Sequence, residues 1–256
     1  PSLLLAQTPS SVSRAGDFGT EMMEATFKFN GGGTCFLVRR EAPDSATYLV
    51  TVAHALGNFD TAKLTLRKPK ADGSYERHDW TIPTRHDKKP LWVQHEKHDV
   101  AVLRLPEPLP VPVAALPASA LADEARLKAA AVYVCSPLFI FGYPETLEAD
   151  QAGLPVARTG IFASSPLLPW QTHPSFLANL NIFQGDSGGP VFVKGADQHP
   201  LVVGIVTEQH YMDDVLRGNY QELRIRYPLG AVKILNAQYI CETLEAAAKQ
   251  SKPSSN

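Results

Sequence analysis

The sequence predicts an antiparallel all-β protein in two halves, closed by a C-terminal helix. Three observations carry that prediction. Short apolar runs recur along the chain, each bounded by turn-forming residues. No regular helical pattern falls between them, which favours a sandwich or barrel over a parallel α/β sheet. A proline cluster near the middle splits the runs into near-equal sets, and 256 residues suit two barrels of roughly a hundred residues each.

The first half, residues 18–110, contains the strand candidates Cys35-Phe-Leu-Val38, Tyr48-Leu-Val-Thr-Val52, Leu64-Thr-Leu66 and Val100-Ala-Val-Leu103. Gly31-Gly-Gly-Thr34 lacks the lysine and following helix of a phosphate loop, so it reads as a turn into the Cys35 strand. Prolines 106, 108, 110, 112 and 117 deny donors to a sheet. Residues 111–131 therefore read as a linker, with a short helix within Ala120–Ala131. The second half, residues 132–230, offers Val132-Tyr-Val134, Phe139-Ile-Phe141, Val191-Phe-Val193, Leu201-Val-Val-Gly-Ile-Val206 and Leu223-Arg-Ile225. From Ala231 the period changes. Ile234, Ala237, Cys241, Leu244 and Ala248 lie on one face of an amphipathic helix over 231–249, with Cys241 a small apolar member of that face.

Composition excludes several function classes. Hydrophobic residues at 44% and charged residues at 20% support a packed core. A net charge of −2 argues against a nucleic-acid surface. The densest basic stretch, Arg85-His86-Asp87-Lys88-Lys89, is acid-interrupted and reads as a solvated loop. No apolar run approaches a membrane span. The start, Pro1-Ser-Leu-Leu-Leu-Ala-Gln7, is too short for a signal-peptide core and lacks a basic lead. Three cysteines without a C-x-x-C pair, and His95-Glu-Lys-His98 without a third ligand, give no metal site. No cofactor is expected.

Gln184-Gly-Asp-Ser-Gly-Gly-Pro190 interrupts the β-rich pattern with more glycine than a turn needs. A serine hydroxyl is a weak nucleophile at neutral pH. It needs a base to take its proton and a third group to orient that base. Eight histidines make composition useless for choosing the base, so local context must choose. His54 follows the apolar run Leu49–Ala53, and Asp99 opens the run His98-Asp-Val-Ala-Val-Leu103. Singly, each has a commonplace alternative: a core histidine, a turn-forming acid, an Asx turn at Asp186-Ser187. His98 rivals His54, and Asp60 and Asp87 rival Asp99.

Together, Thr51-Val-Ala-His54, His98-Asp-Val-Ala-Val-Leu103 and Gly185-Asp-Ser-Gly-Gly-Pro190, in the order His, Asp, Ser, resemble the chymotrypsin-like (trypsin family) serine peptidases. The likeness runs from about Gly32 to Gly230 and is that of a divergent, bacterial-type member. It implies two six-stranded antiparallel β-barrels, with His54 and Asp99 on the first and Ser187 on the second. It implies Ser187 as nucleophile, His54 as base, Asp99 as orienting acid, and the N–H groups of Gly185 and Ser187 as oxyanion hole. Substrate-binding positions follow: Asn181 as pocket floor, with Gln184, Thr207 and Gln209 in its walls. Asn181 and Val206 stand where charge-selective relatives carry an acid or a histidine, so an uncharged P1 residue is expected, the alternative being a basic one favoured by the acids of a loop insertion at Tyr211-Met-Asp-Asp214. The implied partner is a protein or peptide substrate. A non-catalytic peptide-binding protein on this fold, and an esterase using the same triad, are the competing readings. An α/β-hydrolase would show the order Ser, Asp, His.

The chain departs from the animal members in two ways. It has no Ile-Val-Gly-Gly-like segment whose freed amine could pair with Asp186. Asp186 must then meet another cation, backbone donors or water. The cysteine beside the catalytic histidine is replaced by Ala55, and Cys135 also lacks its partner. The family implies a secreted or periplasmic protein, whereas unmatched cysteines are compatible with a reducing compartment.

Overall fold

The computed structural model describes residues 17–41, 45–217 and 222–250. The apolar patch Pro1–Gln7 and the polar tail Ser251–Asn256 lie outside the described residues. Helix α1 (Phe18–Ala25) opens the described chain, its first turn capped by Asp17, whose Oδ1 accepts from Gly19 N–H at 3.0 Å. Strands β1 (Thr26–Phe29), β2 (Gly33–Arg39) and β3 (Thr47–Thr51) follow, then the four-residue helix α2 (Ala53–Leu56). β4 (Thr61–Pro69) and β5 (Tyr75–Pro83) form a long hairpin, and β6 (Arg85–His86) with β7 (Lys89–Pro90) a minimal one. β8 (Trp92–Gln94), β9 (Ala101–Arg104) and β10 (Leu116–Pro117) complete this half. Helix α3 (Glu124–Ala129), capped by Asp123, leads into the second half.

The first half is a sheet in the order β5-β4-β1-β2-β3-β9-β8, with β10 parallel to β2. It does not close into the expected six-stranded barrel. Closure would require β5 to pair with β8, but the intervening chain turns aside into the β6–β7 hairpin and bonds to itself, Leu91 N–H to Thr84 O at 2.9 Å.

The second half does close. β11 (Pro137–Gly142), β12 (Val156–Phe162), β13 (Ser175–Asn179), β14 (Pro190–Lys194), β15 (Pro200–Arg217) and β16 (Glu222–Asn236) form a barrel in the order β11-β12-β13-β16-β15-β14. Helix α4 (Ala237–Gln250) ends the described chain. It starts later than the spacing from Ala231 suggests. Residues 231–236 instead finish β16, held between β13 and β15. Val132–Val134 is not a strand. Positive φ at Ala131 (52°) and Cys135 (74°) bends the chain on both sides, and Tyr133 is 68% exposed.

Burial explains why β2 and β3 read as unbroken apolar runs. Their alternate residues serve two cores. Cys35, Leu37 and Leu49 pack inside the first sheet with Phe27, Leu64 and Ile82. Phe36, Val38, Tyr48 and Val50 face the other way and join the core of the second half. A strand buried on both faces has no polar side to show.

Candidate active site

β3 ends at Thr51 and the chain turns directly into α2, which sets His54 at the rim of the first sheet. β9 pairs antiparallel with β3, Thr51 opposite Ala101, so Asp99 arrives beside His54. His54 Nδ1 lies 2.6 Å from Asp99 Oδ2, and the backbone N–H of His54 donates to Asp99 Oδ1 at 3.1 Å. The Asp99 hydrogen bond holds the His54 pKa above the ordinary histidine value, against the opposing effect of partial burial. Partial burial pushes the Asp99 carboxyl up, but the hydrogen bonds from His54 outweigh it and leave Asp99 below the usual carboxylate range. The rivals sit elsewhere. His98 stacks against Tyr239 with ring centroids 4.0 Å apart. Asp60 uses its carbonyl to cap Thr84, and Asp87 pairs with His86 at 3.5 Å.

Ser187 lies in the turn between β13 and β14. Gly185 has φ +100° and Gly188 φ +87°, and each position is crowded as well. A Cβ at Gly185 would collide with the carbonyls of Tyr143 and Gly32; at Gly188 it would strike Thr34 O and Thr51 Oγ1. Within this turn the N–H groups of Asp186, Gly188 and Gly189 are bonded, to Phe183 O at 3.1 Å, Val206 O at 3.0 Å and Asp186 O at 2.9 Å. Those of Gly185 and Ser187 make no hydrogen bond among the described residues. Thr34 ties the turn to the first half. Its Oγ1 donates to Gly185 O at 2.6 Å, its N–H to Ser187 O at 3.3 Å, and its carbonyl accepts from Thr51 Oγ1 at 2.8 Å. Thr51 stands three residues before His54. No hydrogen bond joins Ser187 to the His54 ring among the described residues.

Asp186 finds both a cation and a backbone donor. Arg158 grips it with both arms of its guanidinium, Nη1 donating to Oδ2 at 2.7 Å and Nη2 donating to Oδ1. Phe183 N–H donates to Oδ2 at 2.7 Å. Asp186 is 1% exposed. Arg158 was legible only as an anomaly. It shares the inward parity of β12 with Val156 and Phe162, while Ala157, Thr159 and Ile161 face solvent. A cation on the buried parity of a strand calls for a partner.

The expected pocket residues do not all converge. Asn181 is exposed and lies beside Gly230, its Oδ1 3.8 Å from where a Cβ there would stand. Gln184 is exposed and its carbonyl accepts from Glu145 N–H at 2.7 Å. Thr207 lines a cleft of about 420 Å³ together with His98, Asp99, Glu208 and Lys233. Gln209 is buried rather than cleft-facing, with its Nε2 unpartnered among the described residues. β15 offers Thr207 and Glu208, not Gln209, to this cleft.

A family model described as Trypsin-like peptidase domain matches residues 33–205, a span that includes His54, Asp99 and Ser187. The chain belongs to the trypsin-like peptidase domain family. No curated protein matches. Among solved structures, one titled "Atomic resolution structure of HBP" superposes with a TM-score of 0.55 over 92% of this chain and 96% of that one, at 13% identity. At that identity the likeness speaks for the fold alone: chymotrypsin-like, mostly β, with the closed second barrel and the C-terminal helix described above. In this trypsin-like peptidase domain all three cysteines are free. Cys35 is sealed in the first core, where burial pushes its thiol up, and burial likewise raises Cys241 to about 11. The fold is held by its two cores and its ion pairs.

Proposed function

We propose that the protein is a serine endopeptidase that hydrolyses protein or peptide substrates through an acyl-enzyme, with Ser187 as nucleophile, His54 as base and Asp99 as orienting acid. The observation that carries this reading is the 2.6 Å contact between His54 Nδ1 and Asp99 Oδ2, made by the two residues that the motifs select. A proton held on Nδ1 leaves the Nε2 lone pair for the serine hydroxyl. Ser187 Oγ then adds to the scissile carbonyl carbon while Nε2 takes its proton. The N–H groups of Gly185 and Ser187 receive the oxyanion, a contact worth roughly 3 kcal/mol for each donor. The imidazolium returns its proton to the leaving amine, and water repeats the sequence to free the acid. Catalytic contacts in a free enzyme are often longer than in its complexes, which accommodates the missing Ser187–His54 hydrogen bond. Asn181 beside Gly230 supports an uncharged P1 side chain. Arg158 supports activity without a freed N-terminal amine, because both oxygens of Asp186 are already engaged.

The second reading, a domain that holds peptides without cutting them, draws on that same missing hydrogen bond. A fluorophosphonate probe separates the two. Wild type is expected to label at Ser187 and to cleave members of a peptide library, and Ser187→Ala to do neither while keeping its circular dichroism spectrum. A folded wild type that neither labels nor cleaves would leave the binding reading in place.

A further inference from the structure

β15 and β16 run well past the barrel. β14 accompanies β15 only from Pro200 to Ile205, and β13 accompanies β16 only from Ala231 to Leu235. Beyond those points the two strands pair with each other alone, from Tyr211 opposite Pro228 out to Arg217 opposite Glu222. Such a two-stranded ribbon is marginal in water unless one face is covered.

One of its faces is built to be covered. Opposed residues of an antiparallel pair share a side, so Met212 with Tyr227, Asp214 with Ile225, and Leu216 with Leu223 lie together. Met212 and Leu216 are each 52% exposed and Leu223 is 58% exposed. The other face is mixed: Arg226 bonds Asp213 at 2.8 Å and lies over the Tyr211 ring, and Val215 is exposed beside them. Apart from Asp214, the first face is apolar and exposed, which is a mark of an interaction site.

The edge of the ribbon begins at the candidate nucleophile. Val206 is bonded to the Ser187 turn twice, accepting from Gly188 N–H and donating to Gly189 O, each at 3.0 Å. From Thr207 to Arg217 the edge of β15 away from β16 has no strand partner among the described residues. Those residues span about 36 Å at ~3.3 Å each. Glu208 and Lys233 oppose each other and line the cleft with Asp99. The pairing shifts register between Gln209 and Tyr211, and beyond that break β15 carries Met212 and Leu216 out along the ribbon.

We propose that the outer ribbon, from Tyr211 to Arg217 of β15, is a docking platform for an extended, apolar-rich segment of the substrate polypeptide remote from the bond that is cut, laid as an added strand along that part of the free edge. This rests on the peptidase reading and names its substrate class. Backbone pairing along the edge gives affinity without sequence preference, and the apolar face selects segments rich in Val, Leu and Ile. Such segments are buried in folded proteins, so the substrate is a chain that presents one in extended form.

The test uses the full chain as Ser187→Ala, so that binding is read without cleavage. The probes are two fluorescein-labelled peptides of equal length, one rich in Val and Leu, the other in Ser and Gly. The apolar peptide is expected to bind at least about tenfold more tightly, which corresponds to ~1.4 kcal/mol. Met212→Ser with Leu216→Ser and Leu223→Ser should erase that ratio. Val215→Pro, which replaces an N–H now held by Asp214 Oδ1 at 2.8 Å with a ring that cannot pair and leaves the apolar side chains in place, should weaken both peptides alike. Equal binding of the two peptides, or a preference that survives the triple substitution, overturns the proposal. So does light scattering that shows a wild-type dimer, with no peptide preference, which the triple variant breaks; the face would then belong to a second copy. Fluorophosphonate labelling of wild type runs in parallel. Labelling without peptide preference sinks the platform and spares the peptidase reading, and the converse result does the reverse.

Discussion

At the scale of single residues, Asp186 poses the sharpest physical problem. Its carboxylate is sealed from solvent between Gly185 and Ser187, and Arg158 is the cation that compensates it. Removing one partner of a buried pair leaves the other uncompensated, at about 3–5 kcal/mol. Arg158→Ala is therefore expected to lower the melting temperature and to slow fluorophosphonate labelling roughly a hundredfold, as loss of an oxyanion donor would. Arg158→Lys keeps the charge but not the planar fork, and should fall between. An Arg158→Ala protein that labels at the wild-type rate would show that the turn holds without it. His54 gives a second prediction. Its pKa is raised, chiefly by Asp99, and the base works only when neutral. The rate should therefore be lost as pH falls through a value above the ordinary ~6.5. Asp99→Asn removes the main cause, so the acid limb should move down while the plateau drops about ten-thousandfold. A profile of kcat/KM against pH for both proteins reads both effects, and an unmoved limb would contradict the assignment. His54 and Asp99 were legible as candidates because each sits in a short, recognisable run, and the structure brings them into contact. The Arg158–Asp186 pair was not, because a strand residue meets a residue of a distant turn, and Arg158 signals only that it needs a partner, not which one.

At the scale of elements, legibility followed burial. Strands buried on both faces, such as β3 and β9, are continuous apolar runs and can be read directly. The boundary between β16 and α4 could not be placed by spacing, because Ile234 and Ala237 satisfy a helical interval although the first belongs to the strand. The outer half of β15 was also missed. Its residues Tyr211-Met-Asp-Asp214 look like a loop insertion until their pairing with β16 is known. Helix α4 matters to the site because it packs on β8 and β9, the strands that flank Asp99. His95 Nε2 meets Glu242 Oε2 at 3.0 Å, and Tyr239 covers His98. Ile240, on the inner face of this helix, is fully buried. Ile240→Ala should destabilise the protein by about 2–5 kcal/mol through lost contact and cavity. Urea denaturation measures this, and a change below about 1 kcal/mol would mean the helix is only loosely docked.

At the scale of the whole molecule, the family resemblance implied two six-stranded barrels, and the described residues form one closed barrel, one open sheet and the small β6–β7 pair. What joins them could not be read from either half alone. Thr34 of β2 bonds the Ser187 turn, and Arg67 of β4 donates to Gly153 O at 3.1 Å and Tyr143 Oη at 3.2 Å across the junction. The proposed site is therefore expected to assemble on folding, without processing. Both carboxylate oxygens of Asp186 are held by Arg158, which comes from the same barrel, so an incoming amine would have to displace a bidentate pair. α1 packs instead on the outside of that barrel's β11 and β14, with the Phe18 ring 5.4 Å from Phe139 and 5.8 Å from Phe192. A chain carrying uncleavable extra residues before Pro1 should therefore label with fluorophosphonate at the rate of the unextended chain, and removal of residues 1–16 should leave that rate within about twofold, since termini matter only where they dock. If the extension silences labelling while the fold persists, a free amine is required and Arg158 is not its replacement.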